Sequence, residues 1–400
     1  MKIMLIISDG MGDLPENSLG GKTPLEAAQT PNMDSLAEKG KTGVMHVLKK
    51  GVIPTSDKAH LTLFGYDLKK HYPGRGPFEA LGLGMNLKHG DIAFRCNFGT
   101  VDSKMKILDR RAGRIKNVSK LAERLNNMKI RGIRFLVKPG TSHRAALVMR
   151  GNGLSERVSD GDPHREGLKV QEIKPLDKSR EAAFTAEVLN EFLEKAHKIL
   201  DRHFLNVKRR KNGLLPANYL LLRGAGQMRK VPSVKERFGL RACCIAGAGL
   251  YKGVAAFAGM KVLKVRGATG RPDTNIKAKI SRALKELKEY DFVFVHIKGC
   301  DVFGHDGDCQ GKTKFIEKID RALKPLPSLN ETLVAITADH STPCSHKAHS
   351  ADPVPVLLWG KGLKADSVER FGEHPCRKGS LGVLNGKNFM KLLLSVAGRR

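Results

Sequence analysis

Lys2-Ile3-Met4-Leu5-Ile6-Ile7-Ser8-Asp9-Gly10 opens the chain as a short, unbroken apolar run that stops at an acid and a glycine. A run of that length without polar alternation is what a strand buried on both faces requires. Three further segments read as buried parallel strands in the same way: Asp291–Ile297, Thr332–Thr337 and Val354–Leu358. Helical patterns lie between them. Ile276–Tyr290 repeats apolar residues at Ile276, Ile280, Leu284 and Leu287, and Lys312–Leu323 puts Phe315, Ile316, Ile319 and Leu323 on one face. Strands alternating with helices predict an α/β fold whose largely parallel sheet is flanked by helices.

The middle of the chain follows a different pattern. It holds shorter strand-like pieces (Ile92–Phe98, Phe135–Val137, Ala145–Met149) and one long helix, Glu181–Leu200. Lys138-Pro139-Gly140 and Gly151-Asn152-Gly153 mark turns. With 400 residues, two domains are expected. The expectation is a discontinuous core, residues 1–71 and 230–400, interrupted by a smaller α+β domain over 72–229. The opening run is too short for a secretory signal. Ala242–Met260 is broken by Gly247, Gly249, Lys252 and Gly253, so no membrane span is expected there. Seven cysteines without a Cys-x-x-Cys pair suggest neither a disulfide framework nor a thiolate zinc site. These features lead to the expectation of a soluble, cytoplasmic protein.

Charge is the unusual bulk property: 71 basic against 40 acidic residues, a net +31. A nucleic-acid binder would account for it through phosphate contacts. So would an enzyme whose field draws in a small, highly anionic substrate. The basic residues are mostly dispersed; the densest run, Lys208-Arg209-Arg210-Lys211, reads as an exposed loop beside Asn212-Gly213. No aromatic residues interleave with it in sequence, which speaks against a base-stacking surface. Nucleic acid is therefore not the expected partner, although nonspecific polyanion binding stays open.

Three of the strands run into acid-bearing turns, at Asp9, at Asp301 and at Asp339-His340. In open α/β sheets ligands bind beyond the carboxyl ends of the strands, so these acids should converge. A lone Asp after a strand is commonly a helix cap; three such ends, two of them with histidines, are not so easily dismissed. Asp301 and His305 are four apart, one helical face, as a shared metal requires. Asp339-His340 is followed by His346 and His349. Carboxylate and imidazole without thiolate suit Mn²⁺, Mg²⁺ or Zn²⁺. Ser56, in the polar turn Pro54-Thr55-Ser56-Asp57, is either an N-cap or a nucleophile at a helix N-terminus, where backbone N–H groups favour phosphate. As a nucleophile it needs a metal to favour its alkoxide.

These residues carry a resemblance. Ile7-Ser8-Asp9-Gly10-Met11-Gly12-Asp13, Ser56-Asp57 ahead of Leu63-Phe64-Gly65-Tyr66-Asp67, and Asp301-x-x-Gly304-His305-Asp306-Gly307-Asp308 are three of its motifs. Thr337-Ala338-Asp339-His340-Ser341-Thr342-Pro343-Cys344 and His349-Ser350-x-Asp352-Pro353-Val354-Pro355 continue it. Asp160-Gly161-Asp162-Pro163-His164 and Arg223-Gly224-Ala225-Gly226 extend it through the middle. The chain resembles the archaeal-type 2,3-bisphosphoglycerate-independent phosphoglycerate mutases of the alkaline phosphatase superfamily, along its whole length.

The resemblance implies an alkaline-phosphatase-like core and two divalent metals, Mn²⁺ first among Mg²⁺ and Zn²⁺. Asp9, Ser56, Asp339 and His340 would hold one; Asp301, His305 and His349 the other. Ser56 would take the phosphoryl group of 3-phosphoglycerate as a phosphoserine and return it to give 2-phosphoglycerate, a step of glycolysis and gluconeogenesis. Arg110, Arg111, Arg144, Arg223 and Lys252 would bind the anionic substrate, with His143, Asp162 and His164 orienting it or moving protons. A phosphatase, or another phosphomutase, is the alternative if the acceptor escapes to water. The chain departs from the family at Pro54-Thr55, where a glycine-containing turn is expected, at Lys58, and at Cys300, where proline is usual.

Overall fold

A computed structural model describes residues 1–399 of the chain. It divides into two compact units, Met1–Tyr72 with Val231–Arg400, and Pro73–Lys230. Among the described residues no helix is long and apolar enough to cross a membrane.

The first unit is built on an eight-stranded sheet. From one edge its order is Lys261–Val262, Ala242–Ile245, Phe292–Lys298, Lys2–Asp9, Thr332–Thr337, Val354–Trp359, Lys41–His46 and Gly382–Asn385. Ile3 to Ile7 and Phe292 to Val295 are fully buried, because helices cover both faces of the central strands. Ile7 pairs with His296 on one side and Thr337 on the other, so the three central strands end together. That alignment brings Asp9, Asp301 and Asp339 to one edge.

Val354–Trp359 corrects the reading of four parallel strands: it runs antiparallel to both neighbours, alone among the eight. A parallel neighbour needs a crossover, usually helical; Thr337 connects to Val354 through a loop instead, and that loop carries His340 and His349. Burial on both faces gives a strand the same apolar run whichever way it points. Helix boundaries also shift. The pattern read as Ile276–Tyr290 is helical over Ile276–Glu286, and the one read as Lys312–Leu323 begins at Cys309, with Asp308 accepting from the Gly311 N–H as its cap. The interrupted apolar stretch from Ala242 is a strand followed by the helix Gly249–Phe257.

The second unit has its own sheet, in the order Ile107–Asp109, Ile92–Val101, Arg144–Arg150, Ile133–Pro139, Met128–Ile130, with Tyr219–Gln227 also paired to Ile92–Val101. These pairings are antiparallel. The helix Arg180–Asp201 is capped by Ser179, whose hydroxyl accepts from the Ala182 N–H, and buries Leu189, Phe192, Leu193 and Ala196. Phe192 stacks on Phe135 with ring centroids 4.1 Å apart, fastening helix to sheet. Lys208–Lys211 is not a loop, as its charge suggested, but the last turn of the helix Phe204–Lys211, where cations favour the helix dipole.

Candidate metal centre

Two groups of side chains that could each hold a metal ion stand at the carboxyl edge of the large sheet. Asp9, Asp339 and His340 form one, and Asp301, His305 and His349 the other; within each, one ligand atom per residue lies within 4.8 Å of the others. Asp9 ends its strand, Asp339 and His340 follow theirs, and Asp301 and His305 share a face of the helix Cys300–Asp306. His340 and His349 stack at 3.6 Å between centroids, so the two groups abut. His346 is exposed and belongs to neither.

The imidazoles are aimed by their other nitrogens. His349 Nδ1 donates to the Pro54 carbonyl at 3.0 Å and His305 Nδ1 to the Lys347 carbonyl at 2.9 Å. A carbonyl accepts only, so both rings carry hydrogen on Nδ1 and present Nε2, each 3.3 Å from Asp301 Oδ1. Thr342 Oγ1 lies 3.0 Å from His340 Nδ1 and 3.3 Å from Asp301 Oδ1, joining the groups from beneath. Asp339 Oδ1 accepts from the Gly10 N–H at 3.1 Å.

Ser56 is the first residue of the helix Ser56–Leu63, preceded by Thr55 at the cap position. Its hydroxyl makes no cap; Oγ lies 3.2 Å from His340 Nε2. The nucleophile candidate thus sits at a helix N-terminus and against a ligand group. Lys58 is exposed and extends over the Tyr72 ring at 5.4 Å. Cys300 is buried with its Sγ 3.4 Å from Ser8 Oγ, and burial pushes its thiol up to about 11, so it stays protonated.

Electrostatically the edge is an acid cluster held charged. Burial alone would raise Asp9, but Lys298 and His296 beside it hold it well below the usual carboxylate range. Asp301 is likewise held down, against burial, by His305, His349 and Lys298. His340 is raised by Asp339, again against burial. The donor set fits divalent cations: three carboxylates and three imidazoles, with no thiolate. One buried carboxylate oxygen, Asp9 Oδ1, finds no hydrogen-bond donor, its nearest ring nitrogen being His340 Nε2 at 3.6 Å. An uncompensated buried carboxylate oxygen is costly, and a cation is what such an atom lacks.

Sequence reasoning missed a second layer. His60, buried, lies one helical turn after Ser56 and donates from Nδ1 to the Ser56 carbonyl at 2.7 Å. His296 Nε2 is 3.1 Å from Asp9 Oδ2, and Tyr251 stacks on its ring at 3.5 Å. Burial pushes His296 down to about 4, so it is neutral. The i, i+4 spacing from Ser56 was the available signal for His60. For His296 and Lys298 it was their place at the end of a strand leading to Asp301.

The second unit gathers most of the remaining candidates. Arg110 clasps the buried Asp162 with Nε–Oδ1 at 3.1 Å and Nη2–Oδ2 at 2.6 Å. The His164 N–H also donates to Asp162, and Arg223 Nη1 lies 3.1 Å from His164 Nδ1. Burial and the neighbouring Arg144, Arg111 and Arg95 push His143 down to about 4. Arg95, which sequence reasoning did not select, is driven down to about 9 by burial and by Arg223, Arg75 and Arg144, with Glu79 opposing. Its Nε is buried without an acceptor. Lys252 belongs to the first unit, on the helix Gly249–Phe257 next to Tyr251.

The metalloenzyme superfamily profile matches residues 1–396. The 2,3-bisphosphoglycerate-independent phosphoglycerate mutase of Methanococcus aeolicus is 46% identical, covering 100% of this chain and 98% of the relative. One from Methanocaldococcus jannaschii is 47% identical with the same coverage. Among solved structures, the cofactor-independent phosphoglycerate mutase of Thermoplasma acidophilum matches with a TM-score of 0.76 at 40% identity, over 100% of both chains. The PH0037 protein of Pyrococcus horikoshii matches with a TM-score of 0.87 at 37% identity, over 100% of this chain and 98% of that one. The chain therefore belongs to the metalloenzyme superfamily and, within it, to the 2,3-bisphosphoglycerate-independent phosphoglycerate mutases.

Proposed function

We propose that this protein interconverts 3-phosphoglycerate and 2-phosphoglycerate through a phosphoserine at Ser56, with two divalent cations, Mn²⁺ foremost. The observation that carries the reading is Ser56 Oγ at a helix N-terminus, 3.2 Å from His340 Nε2 and beside two abutting ligand groups. Asp9, Ser56, Asp339 and His340 would hold one cation; Asp301, His305 and His349 the other. Cations there would neutralise the phosphoryl oxygens and favour a deprotonated serine.

Ser56 Oγ gives up its proton and bonds to phosphorus as the bond from phosphorus to the substrate's 3-oxygen breaks; that oxygen takes a proton. The glycerate, still held, turns. Its 2-hydroxyl then gives up its proton and bonds to phosphorus as the bond from phosphorus to Ser56 Oγ breaks, and Ser56 regains a proton, so the sum is an isomerisation with no phosphate lost. Phosphate monoesters resist uncatalysed cleavage, so charge must be neutralised where the phosphoryl group passes. The Arg110, Arg111, Arg144 and Arg223 guanidiniums suit the two anionic ends of the substrate as bidentate donors. His143, Asp162, His164 and Lys252 complete this substrate set, and the inserted unit acts as the lid that keeps water from the phosphoserine. The reaction is the cytoplasmic step of glycolysis and gluconeogenesis.

The test is conversion of 3-phosphoglycerate without bisphosphoglycerate by metal-stripped protein, before and after Mn²⁺, beside Ser56→Ala. Isomerisation restored by Mn²⁺ and absent in Ser56→Ala is expected. Free phosphate as the main product would replace the mutase by a phosphatase.

A further inference from the structure

Lys298 lies on the last position of its strand, register partner of Asp9 on the adjacent strand and three residues before Asp301. Its side chain is 20% exposed, and its ammonium has three partners. Nζ donates to Asp9 Oδ2 at 3.2 Å, to Asp301 Oδ2 in a short contact, and meets the buried Tyr251 hydroxyl at 3.2 Å. Asp9 belongs to one ligand group and Asp301 to the other. Lys298 is thus a single cation tied to a carboxylate of each.

The two carboxylates are divided in the same way. Their Oδ2 atoms face the ammonium, and His296 Nε2 also approaches Asp9 Oδ2. Their Oδ1 atoms face the ligand groups: Asp301 Oδ1 toward His305 and His349, Asp9 Oδ1 toward His340 Nε2 at 3.6 Å with no hydrogen bond. We propose that Lys298 is a positioning residue shared by both metal sites, a built-in cation that holds Asp9 and Asp301 together and competes with bound metal for their charge. The inference rests on the two-site reading above and goes beyond it by assigning the residue that couples the sites.

The sign follows from electrostatics. An outer partner that accepts a proton from a ligating imidazole raises ligand basicity, and losing it weakens metal binding. A cationic partner does the reverse: it stabilises the metal-free carboxylates and repels the incoming ion, strongly so at these separations in a poorly solvated site. Removing the ammonium should therefore leave three crowded carboxylates with only imidazoles to offset them without metal, and make divalent ions bind more tightly.

The experiment uses the full chain as wild type, Lys298→Met and Lys298→Gln, each stripped with EDTA. Thermal unfolding is followed in EDTA and with saturating Mn²⁺, and Mn²⁺ affinity is measured by competition with a chelating dye. Lys298→Met is expected to melt several degrees below wild type in EDTA, with the gap narrowing in Mn²⁺ and the Mn²⁺ dissociation constant falling at least about tenfold. Lys298→Gln keeps N–H donors without charge and should behave like Lys298→Met. Recovery of Lys298→Met only in the Mn²⁺-loaded form counts for the proposal. A gap that is equal with and without Mn²⁺, an affinity unchanged or weakened, or a wild-type-like Lys298→Gln overturns it. Failure of the wild type to bind Mn²⁺ at all would instead overturn the two-site reading.

Discussion

His340 and His349 stack nearly parallel, 20° between planes and 3.6 Å between centroids, although one belongs to the Asp9 group and the other to the Asp301 group. Both come from the loop after Thr337, so a single loop feeds both groups. His349→Ala removes one imidazole from Asp301 and leaves Asp9, Asp339 and His340 in place. Bound Mn²⁺, counted by atomic absorption after gel filtration, should fall from about two to about one per chain. Activity should drop by about a hundredfold or more. Full metal content with full activity would remove His349 from the ligand set.

The Arg110–Asp162 clasp is two-pronged, with Asp162 fully covered. Asp162→Asn keeps the shape and removes the charge, so unfolding in denaturant should show a loss of about 2 kcal/mol. Arg110 would then lose its orientation, and KM for 3-phosphoglycerate should rise about tenfold, equivalent to ~1.4 kcal/mol. Asp91→Asn is the control. Arg150 clasps the buried Asp91 in the same manner at 2.9 and 2.6 Å, at the far end of the strand Arg144–Arg150 from Arg144. It should cost similar stability with KM unchanged; equal KM effects in both variants would make Arg110 a purely structural residue.

Much of the core sheet was legible because its central strands are buried on both faces and so read as unbroken apolar runs. Lys2–Asp9 and Thr332–Thr337 needed no further information. The direction of Val354–Trp359 was not legible, since burial on two faces says nothing about polarity along the chain. The strands Lys41–His46 and Tyr219–Gln227 were missed for another reason: Gly43, Thr42, Gly224 and Gly226 dilute their apolar content, and tertiary pairing overrides local preference. The acids at strand ends announced themselves through topology. Lys298 and His296 gave a weaker signal, their place at the end of a strand leading to Asp301; their approach to Asp9 follows from the register that pairs Lys298 with Asp9 and from the reach of the His296 ring. Arg95 was hidden by number, one guanidinium among 71 basic residues.

Glu373 provides a stability change with pH from a residue outside both ligand groups. It is buried, its Oε1 accepting from the Asp13 N–H at 3.1 Å and its Oε2 from the Thr23 hydroxyl at 2.6 Å. Burial pushes its carboxyl up from 4.5 to about 7; Glu26 adds to this, while Thr23 and Lys312 oppose it. A raised acid binds its proton more tightly folded than unfolded, so its contribution is complete below pH 4.5 and is lost as pH rises through 7. Glu373→Gln mimics the protonated form. Between pH 4.5 and 7.5 wild type should lose about 3 kcal/mol relative to Glu373→Gln, read from denaturant midpoints at each pH. Parallel pH profiles for the two proteins would show that Glu373 does not titrate in this window.

Gly10 is where the backbone itself builds the site. Its φ of +64° lies in the left-handed region, and a Cβ there would stand 2.8 Å from Asp301 Cα and 2.5 Å from Thr342 Oγ1. The conformation alone disfavours alanine by about 1 kcal/mol. The contact with Asp301 backbone cannot be relieved by turning a side chain, so the strand end or the helix Cys300–Asp306 must move. Either movement spreads Asp9 and Asp301 and pulls the Gly10 N–H from Asp339 Oδ1. Gly10→Ala should therefore lose about 2–4 kcal/mol of stability. Its deficit should be larger in Mn²⁺ than in EDTA, because a displaced ligand set recovers less stability on metal binding. This is the opposite of the pattern expected for Lys298→Met. If Gly10→Ala melts like wild type in both conditions, the tight turn after Asp9 does not determine the spacing of the ligand groups.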